Sequence, residues 1–395
     1  MRQQTLIRGI TLLVIFLNLS CARSVQVQQE TATSNKPPVQ FIAEPSMPGE
    51  EKLMQSTTPE QFTAANYTVT GPYSHRNLTI FLLHGKDERQ AKPPLTLKEA
   101  MDQEKVIVHE TGNVNSLAIE NISDEEVYVQ SGDIVKGGQQ DRVLATDLIV
   151  PPKSGKIPIE SFCVEQSRWS GRGQESAGRF SSSDNMLNSK ELKIAAKHGA
   201  SQQEVWNKVA ATQSKLGAGV AAAGVAGAPS SANAQFARRS NADYVPVTSD
   251  QSASSLQLTL ENKRVRDTST DYIKKLSSIV DGKNDVTGYA FAINGQMNSA
   301  DIYSSHQLFK KLWPKLLESS AIEAIGELVK DGQYQPVTAG AVKAFLGDAG
   351  SGSANEKEVT PHVLAVKRES EKNLFFETRD RKQKGVWVHR NYIAK

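Results

Sequence analysis

The sequence predicts an α+β chain: an antiparallel, β-rich half built as a sandwich or barrel-like sheet, followed by a half of helices and strands. Three observations lead there. Between residues 77 and 165, many short runs of β-forming residues recur with turn residues between them, a spacing that argues for an antiparallel sandwich or barrel-like sheet rather than βαβ units. Residues 202–216 and 308–317 then carry apolar side chains at helical spacing. Residues 362–367, 374–378 and 386–389 return to strand character.

At the start of the chain Arg2 and Arg8 form a positive region without acids, followed by an apolar run over 10–19 broken only by Thr11 and Asn18. That run is shorter than the roughly 20 residues needed to span a bilayer, so it reads as an export signal. Ser20 before Cys21 fits a bacterial lipoprotein signal, although Asn18 stands where such signals prefer Leu. Two processing routes fit: cleavage before Cys21 with a lipid on its thiol, or ordinary secretory cleavage near Ala22. A lone cysteine at the end of the apolar run favours the first. The expected address is the bacterial cell envelope, anchored by lipid on the periplasmic side or the cell surface. Residues 21–65 are rich in Gln, Thr, Ser, Pro and Glu and bury too little apolar surface to offset their chain entropy. They read as a tether.

The folded part begins near residue 66. Residues 77–84 are a strand ended by Gly85. Thr96 and Glu99 have capping-box spacing, so a short helix starts between them. Strands follow at 106–109, 116–119 and 126–129, then at 142–150 and 157–165 across the turn from Pro151 to Gly155. Residues 171–189 are polar and Gly/Ser-rich and read as a loop. A helix over 202–216 carries Val205, Trp206, Val209 and Leu216 at helical spacing. Residues 217–234 read as a flexible Ala/Gly insertion or an alanine-rich packed helix. A strand over 288–293 ends in Asn294 and Gly295, a tight-hairpin pair. Ser304 to Gln307 caps a helix bearing Leu308, Phe309, Leu312, Trp313, Leu316 and Leu317, with Pro314 kinking or restarting it. The expected division is therefore a β-rich core over 66–170, a loop and helix insertion over 171–265 and a helix-strand part over 266–347. The strands in 348–395 pack on that core.

Composition narrows the function. Residues 1–20 hold two of the 46 basic residues and none of the 43 acidic ones, leaving 44 against 43. That balance argues against nucleic acid as a partner. Besides Cys21 only Cys163 remains, so no disulfide framework is expected if Cys21 is lipidated. No HxH, HExxH or CxxC spacing supports a metal, no Gly-x-Ser-x-Gly elbow supports a serine hydrolase, and no phosphate loop precedes a helix. No cofactor is expected.

The chemistry concentrates between residues 130 and 169. Gly132 and Asp133 are followed by Gly137, Gly138, Gln139, Gln140, Asp141 and Arg142, then by Cys163, Val164, Glu165, Gln166, Ser167, Arg168 and Trp169. With Gln203 to Trp206, Asp301 to Tyr303 and Leu308 to Trp313, these ordered motifs resemble the domain family named for its association with ADP-ribosylglycohydrolases and rhodanese-phosphatase-superfamily proteins. The resemblance covers about residues 78–324 and implies an association with ADP-ribose or nucleotide-linked systems rather than a reaction. The family usually has Glu where Asp133 stands, Asn at Asp141 and Gly at Ser167.

Asp133 follows Gly132 in a turn, where an Asp side chain bonds the local backbone; it is also a candidate catalytic base. Gln140, Asp141 and Arg142 are ligand-binding candidates: Gln140 and Arg142 share a strand face and Asp141 points away, so the first two suit a planar anion or carboxylate, or an ion pair of Arg142 with Asp133 or Glu165. Cys163 reads as a small buried hydrophobe. Glu165 is the second catalytic candidate or a clamp on Arg142. Arg168 and Trp169 form a cation–π lid or close the sheet edge. Three readings follow: recognition of a small polar or anionic ligand, an enzyme on ADP-ribose-like or phosphorylated substrates, or a structural envelope protein whose cluster is an internal ion-pair network.

Overall fold

The computed structural model describes residues 66–89, 92–173, 175–224, 244–382 and 386–395. The expected leader, Cys21, the tether and residues 225–234 of the Ala/Gly-rich stretch lie outside them. The chain runs through β1 (Thr68–His75), β2 (Leu78–His84), β3 (Leu95–Thr96), α1 (Leu97–Asp102), β4 (Val106–Asn113), β5 (Ser116–Asn121) and β6 (Val127–Val129). Next come β7 (Asp133–Gly137), β8 (Arg142–Leu144), β9 (Leu148–Val150), β10 (Gly155–Cys163), β11 (Phe180–Met186), α2 (Lys190–Ile194) and α3 (Gln202–Ala222). After α4 (Leu256–Leu260) and α5 (Lys263–Leu276) come β12 (Val286–Ile293), β13 (Gln296–Tyr303) and α6 (His306–Gly326). The chain then forms α7 (Ala339–Gly350), β14 (Ser353–Thr360), β15 (Val363–Glu369), β16 (Asn373–Asp380) and β17 (Val386–Ala394).

The predicted α+β class holds. An eight-stranded antiparallel sheet has the order β1-β2-β12-β13-β17-β16-β15-β14, and a six-stranded one the order β11-β7-β8-β10-β5-β4. The six-stranded sheet curls back on itself, because His109 of β4 bridges to Arg179 just before β11. A third sheet, β3-β6-β9, takes β6 and β9 from between strands of the six-stranded sheet in sequence, with β3 parallel to β6.

Strand alternation covers both faces of the large sheet. Leu78, Ile80 and Leu82 of β2, with Tyr289 and Phe291 of β12, join the main core. Phe81 and Leu83, with Ala290 and Ala292, face the other way and pack with Val342, Phe345 and Leu346 of α7. A strand buried on both faces reads as a continuous apolar run, which is why β2 is legible as a strand. On the main-core side α6 lays Phe309 and Trp313 against Tyr289, with ring centroids 6.4 and 5.6 Å away. Burying each such aromatic is worth roughly 1.5–3 kcal/mol.

Several expectations change. Residues 142–150 are two strands in two sheets, since the turn over 145–147 sends β9 to pair with β6. The expected loop at 171–189 contains β11: its serine-rich sequence is poor in β-formers, but pairing with β7 supplies the ladder. Helix α3 continues through Ala222 into the Ala/Gly-rich stretch. Helix α6 runs through Pro314 without ending, and Ser305 at its N-cap makes no capping bond; Asp87 accepts the His306 amide instead at 2.6 Å.

Candidate functional site

The glycine-rich turn sets the first part of the site. β6 ends at Val129, and the amide of Asp133 donates to the carbonyl of Gln130 at 2.9 Å, closing a four-residue turn. Gly132 sits at φ +100, where only glycine is unstrained. The Asp133 carboxylate accepts the Gln130 amide at 3.0 Å, the local bond expected of a turn Asp. Its other oxygen accepts from Nζ of Lys315, on α6, at 2.6 Å.

Asp133 and Lys315 line a cavity of about 490 Å³ walled by α1, β11, α5 and α6. Its charged lining is mostly matched in pairs. Lys311 meets Glu99 at 3.0 Å, and Lys98 meets Asp102 at 2.7 Å and Asp184 at 3.0 Å. Glu261 is held by Lys136 at 3.1 Å. Two lining groups differ: among the described residues, Glu318 and Arg266 make no side-chain hydrogen bond or ion pair. Burial raises the Glu318 carboxyl above its ordinary range, Asp184 adds to that, and Arg266 and Lys315 oppose it. Pro314 also lines the cavity, and its missing N–H deprives the Lys310 carbonyl of its helical donor on that stretch of α6.

The second part is the cluster between β8 and the segment after β10. β8 pairs with β10 so that Arg142 stands opposite Cys163. Asp141 points to the other side, as alternation requires. It is fully buried and accepts from the Gly137 amide at 3.0 Å and from Arg172 at 2.8 Å, with the Ser255 hydroxyl at 3.4 Å. Burial pushes its carboxyl up, and the Gly137 amide and Arg172 pull against that. Glu165, also fully buried, is bonded by Arg168 at 2.7 Å, and Arg172 stands 4.0 Å away. Burial would raise Glu165, but Arg168 and its neighbours outweigh it and hold the carboxyl low. The Asn usual at position 141 in the resembling family is thus replaced here by a carboxylate that two guanidinium groups neutralise, Arg168 lying 3.7 Å away.

Arg142 is fully buried but loosely held. Its contacts to Gln140 are 3.4 and 3.5 Å, Glu110 stands at 3.6 Å, and Nε and Nη2 have no hydrogen-bond partner. Trp169, 48% exposed, covers its guanidinium with the ring centroid 5.5 Å away. The aromatic lid therefore lies over Arg142, not over Arg168. Cys163 is buried, and burial pushes its thiol up to about 11. Its backbone is fastened by Gln202, which takes the Cys163 amide and donates to its carbonyl, both at 2.8 Å.

The predicted residues therefore separate. Gln140, Arg142 and Trp169 meet on one side of β8; Asp141, Glu165 and Arg168 meet in a buried ion-pair network; Asp133 belongs to the cavity. Arg142 and Glu165 do not pair: β10 ends at Cys163, so alternation does not carry to Glu165, and Arg142 takes Glu110 from β4 instead. Sequence reading missed Lys311, Lys315 and Glu318, although their spacing of four and three residues places them on one stripe of α6, beside the leucine stripe. Arg266 carried no sequence signal.

Among the described residues no group of three or more His, Cys, Asp and Glu is arranged to hold a metal, and no helix is long and apolar enough to cross a membrane. One family model, described as the ARG and Rhodanese-Phosphatase-superfamily-associated Protein domain, matches residues 66–393. No curated protein and no solved structure matches the chain.

Proposed function

Since the chain belongs to the ARG and Rhodanese-Phosphatase-superfamily-associated Protein domain family, and that description names an association but no reaction, we propose from the site itself that the domain recognises a small anionic ligand in the cavity beside Asp133. The protein that carries it is, on this reading, exported and lipid-anchored through Cys21. One observation carries the ligand reading: of the ionisable groups lining the cavity, Arg266 and Glu318 are left without an ion-pair partner among the described residues. A guanidinium without a partner offers a donor fork to a carboxylate or phosphate. A carboxyl pushed toward its protonated form offers a hydroxyl-bearing ligand both a donor and an acceptor. The volume of about 490 Å³ falls in the range of small-molecule sites.

The enzyme reading is favoured by the same Glu318, a carboxyl that burial shifts upward beside the Asp133–Lys315 pair, as acid–base sites often have. Asp141, Glu165 and Arg168 fit the structural reading, since each buried carboxylate has a guanidinium partner. Calorimetric titration with inorganic phosphate, ribose 5-phosphate and ADP-ribose tests the proposal. A binding probe should lose about 10- to 100-fold in affinity in Arg266→Ala, the loss of one charged hydrogen-bonding group. Equal binding by the variant, or no heat with any of the three probes, overturns the assignment of Arg266 as the anion contact.

A further inference from the structure

Away from the cavity, a second set of ionisable groups is buried where the sheets meet. His389 of β17 is 2% exposed and presents each ring nitrogen to a carboxylate oxygen. Nδ1 lies 2.8 Å from Asp147, in the turn between β8 and β9, and Nε2 lies 3.0 Å from Asp301 of β13. Every element packed on the ring brings its own group. Tyr303 of β13 stacks on it at 4.6 Å with planes 10° apart, and Tyr128 of β6 meets its edge at 6.3 Å. Lys193 of α2 and Lys197 of the π-helical turn over Ala195–Gly199 add their fields at Asp301, and Lys197 does so at Asp147 as well. Burial alone would strip the ring of its proton, but Asp147 and Asp301 outweigh it, so His389 is held protonated above its ordinary range. A ring that must donate twice needs both protons, which is why carboxylates on both sides imply the imidazolium.

The clamp reaches the cavity by two routes. Asp147 uses its other oxygen to accept the Ser131 amide at 2.6 Å, and Ser131 is the second residue of the turn that ends in Asp133. Tyr303, stacked on the ring, donates to the side chain of Gln130 at 3.0 Å, and Gln130 is the first residue of that turn. The Gln130 amide in turn fixes the Asp133 carboxylate facing Lys315.

We propose that Asp147 and His389 are positioning residues for the cavity: the Asp147–His389–Asp301 clamp holds the Gln130–Asp133 turn in register and so sets Asp133 against Lys315. With His389 protonated the clamp is closed. As pH rises through its elevated pKa one ring nitrogen stops donating, the facing oxygen keeps only its neutral donor (the Thr378 hydroxyl on Asp147 at 2.8 Å, or the Asn391 amide on Asp301 at 2.8 Å), and the turn loosens. The ionic partner of Lys315 is then less firmly placed, whereas Lys311, tied to Glu99 on α1, depends on no part of this turn. The functional meaning rests on the cavity being the binding site, but the placement of Asp133 does not.

The test needs no ligand. The purified protein is pulse-labelled with acetic anhydride, and acetylation of Lys315 and Lys311 is read by mass spectrometry as a ratio. Asp133→Asn, which removes the partner directly, calibrates the scale. His389→Gln should raise the Lys315:Lys311 ratio about threefold, part of the worth of one charge-assisted hydrogen bond. In the wild type the same ratio should step upward with rising pH, and the step should vanish in His389→Gln. A purely structural histidine would change both lysines together or neither. A constant ratio across variants and pH overturns the proposal; if His389→Gln does not fold, the wild-type step decides it alone. Failure here leaves the Arg266 titration untouched, and failure of that titration leaves this result standing.

Discussion

Ser167 follows β10 at φ +75, in the left-handed region where a side chain costs roughly 1–2 kcal/mol. The family resemblance places Gly there, and the backbone explains the preference. Ser167→Gly should relieve that strain while adding about 0.5–1 kcal/mol of unfolded-chain freedom, a net gain of roughly 0.5–1 kcal/mol measurable as a raised denaturant midpoint. An unchanged or lowered midpoint would mean that the loop tolerates the conformation without strain. Among single residues, the bond from Asp133 to its own turn was readable because it is local chemistry. So was the burial of Cys163, from alternation along its strand. Lys315, Arg266 and Glu318 were not, because surface-type residues on helices look alike until the fold brings them to a common cavity. The Arg142–Glu165 pair failed for a related reason: strand arithmetic holds only to the end of the strand, and β10 stops two residues short.

Elements specified by local signals were the legible ones. The Thr96–Glu99 capping box forms with both reciprocal bonds, and Asn294 with Gly295 joins β12 to β13 as a two-residue hairpin. β11, β14 and α7 escaped notice because tertiary pairing or packing, not composition, makes them. The same holds where the Ala/Gly-rich segment begins. Gly219, inside α3, lies so close to α6 that an added Cβ would stand 1.7 Å from the Ile325 carbonyl oxygen. Gly219→Ala gains about 1 kcal/mol of helix propensity but must push α3 off α6, an overpacking cost of typically 1–3 kcal/mol or more at such a contact. It should lower the melting temperature. Gly347→Ala in α7, where the new methyl meets nothing within 4 Å, should raise it. The opposite order of the two variants would show that α3 and α6 are not in backbone contact.

For the molecule as a whole, the β-rich character and α+β class were readable from the succession of elements. The sheet order was not, because it pairs segments far apart in sequence: β2 with β12, and β13 with β17. The proposed address is likewise a whole-chain property. A positive n-region, a short apolar run and Cys21 lead us to expect labelled palmitate in the wild type and none in Cys21→Ala. Equal label in both, or in neither, would remove the anchor from the proposal.

The position of β17 has a consequence for the order of assembly. It lies between β13 and β16, so the described strand latest in sequence fills an interior place in the eight-stranded sheet. During synthesis the ribosome delivers the flanks before the centre. The β14–β16 meander has no neighbour to dock on, and the outer edge of β13 stays unpaired, until β17 emerges. Nor can His389, which β17 carries, close its clamp before then. Completion of the eight-stranded sheet is thus deferred until nearly all of the matched domain has left the ribosome.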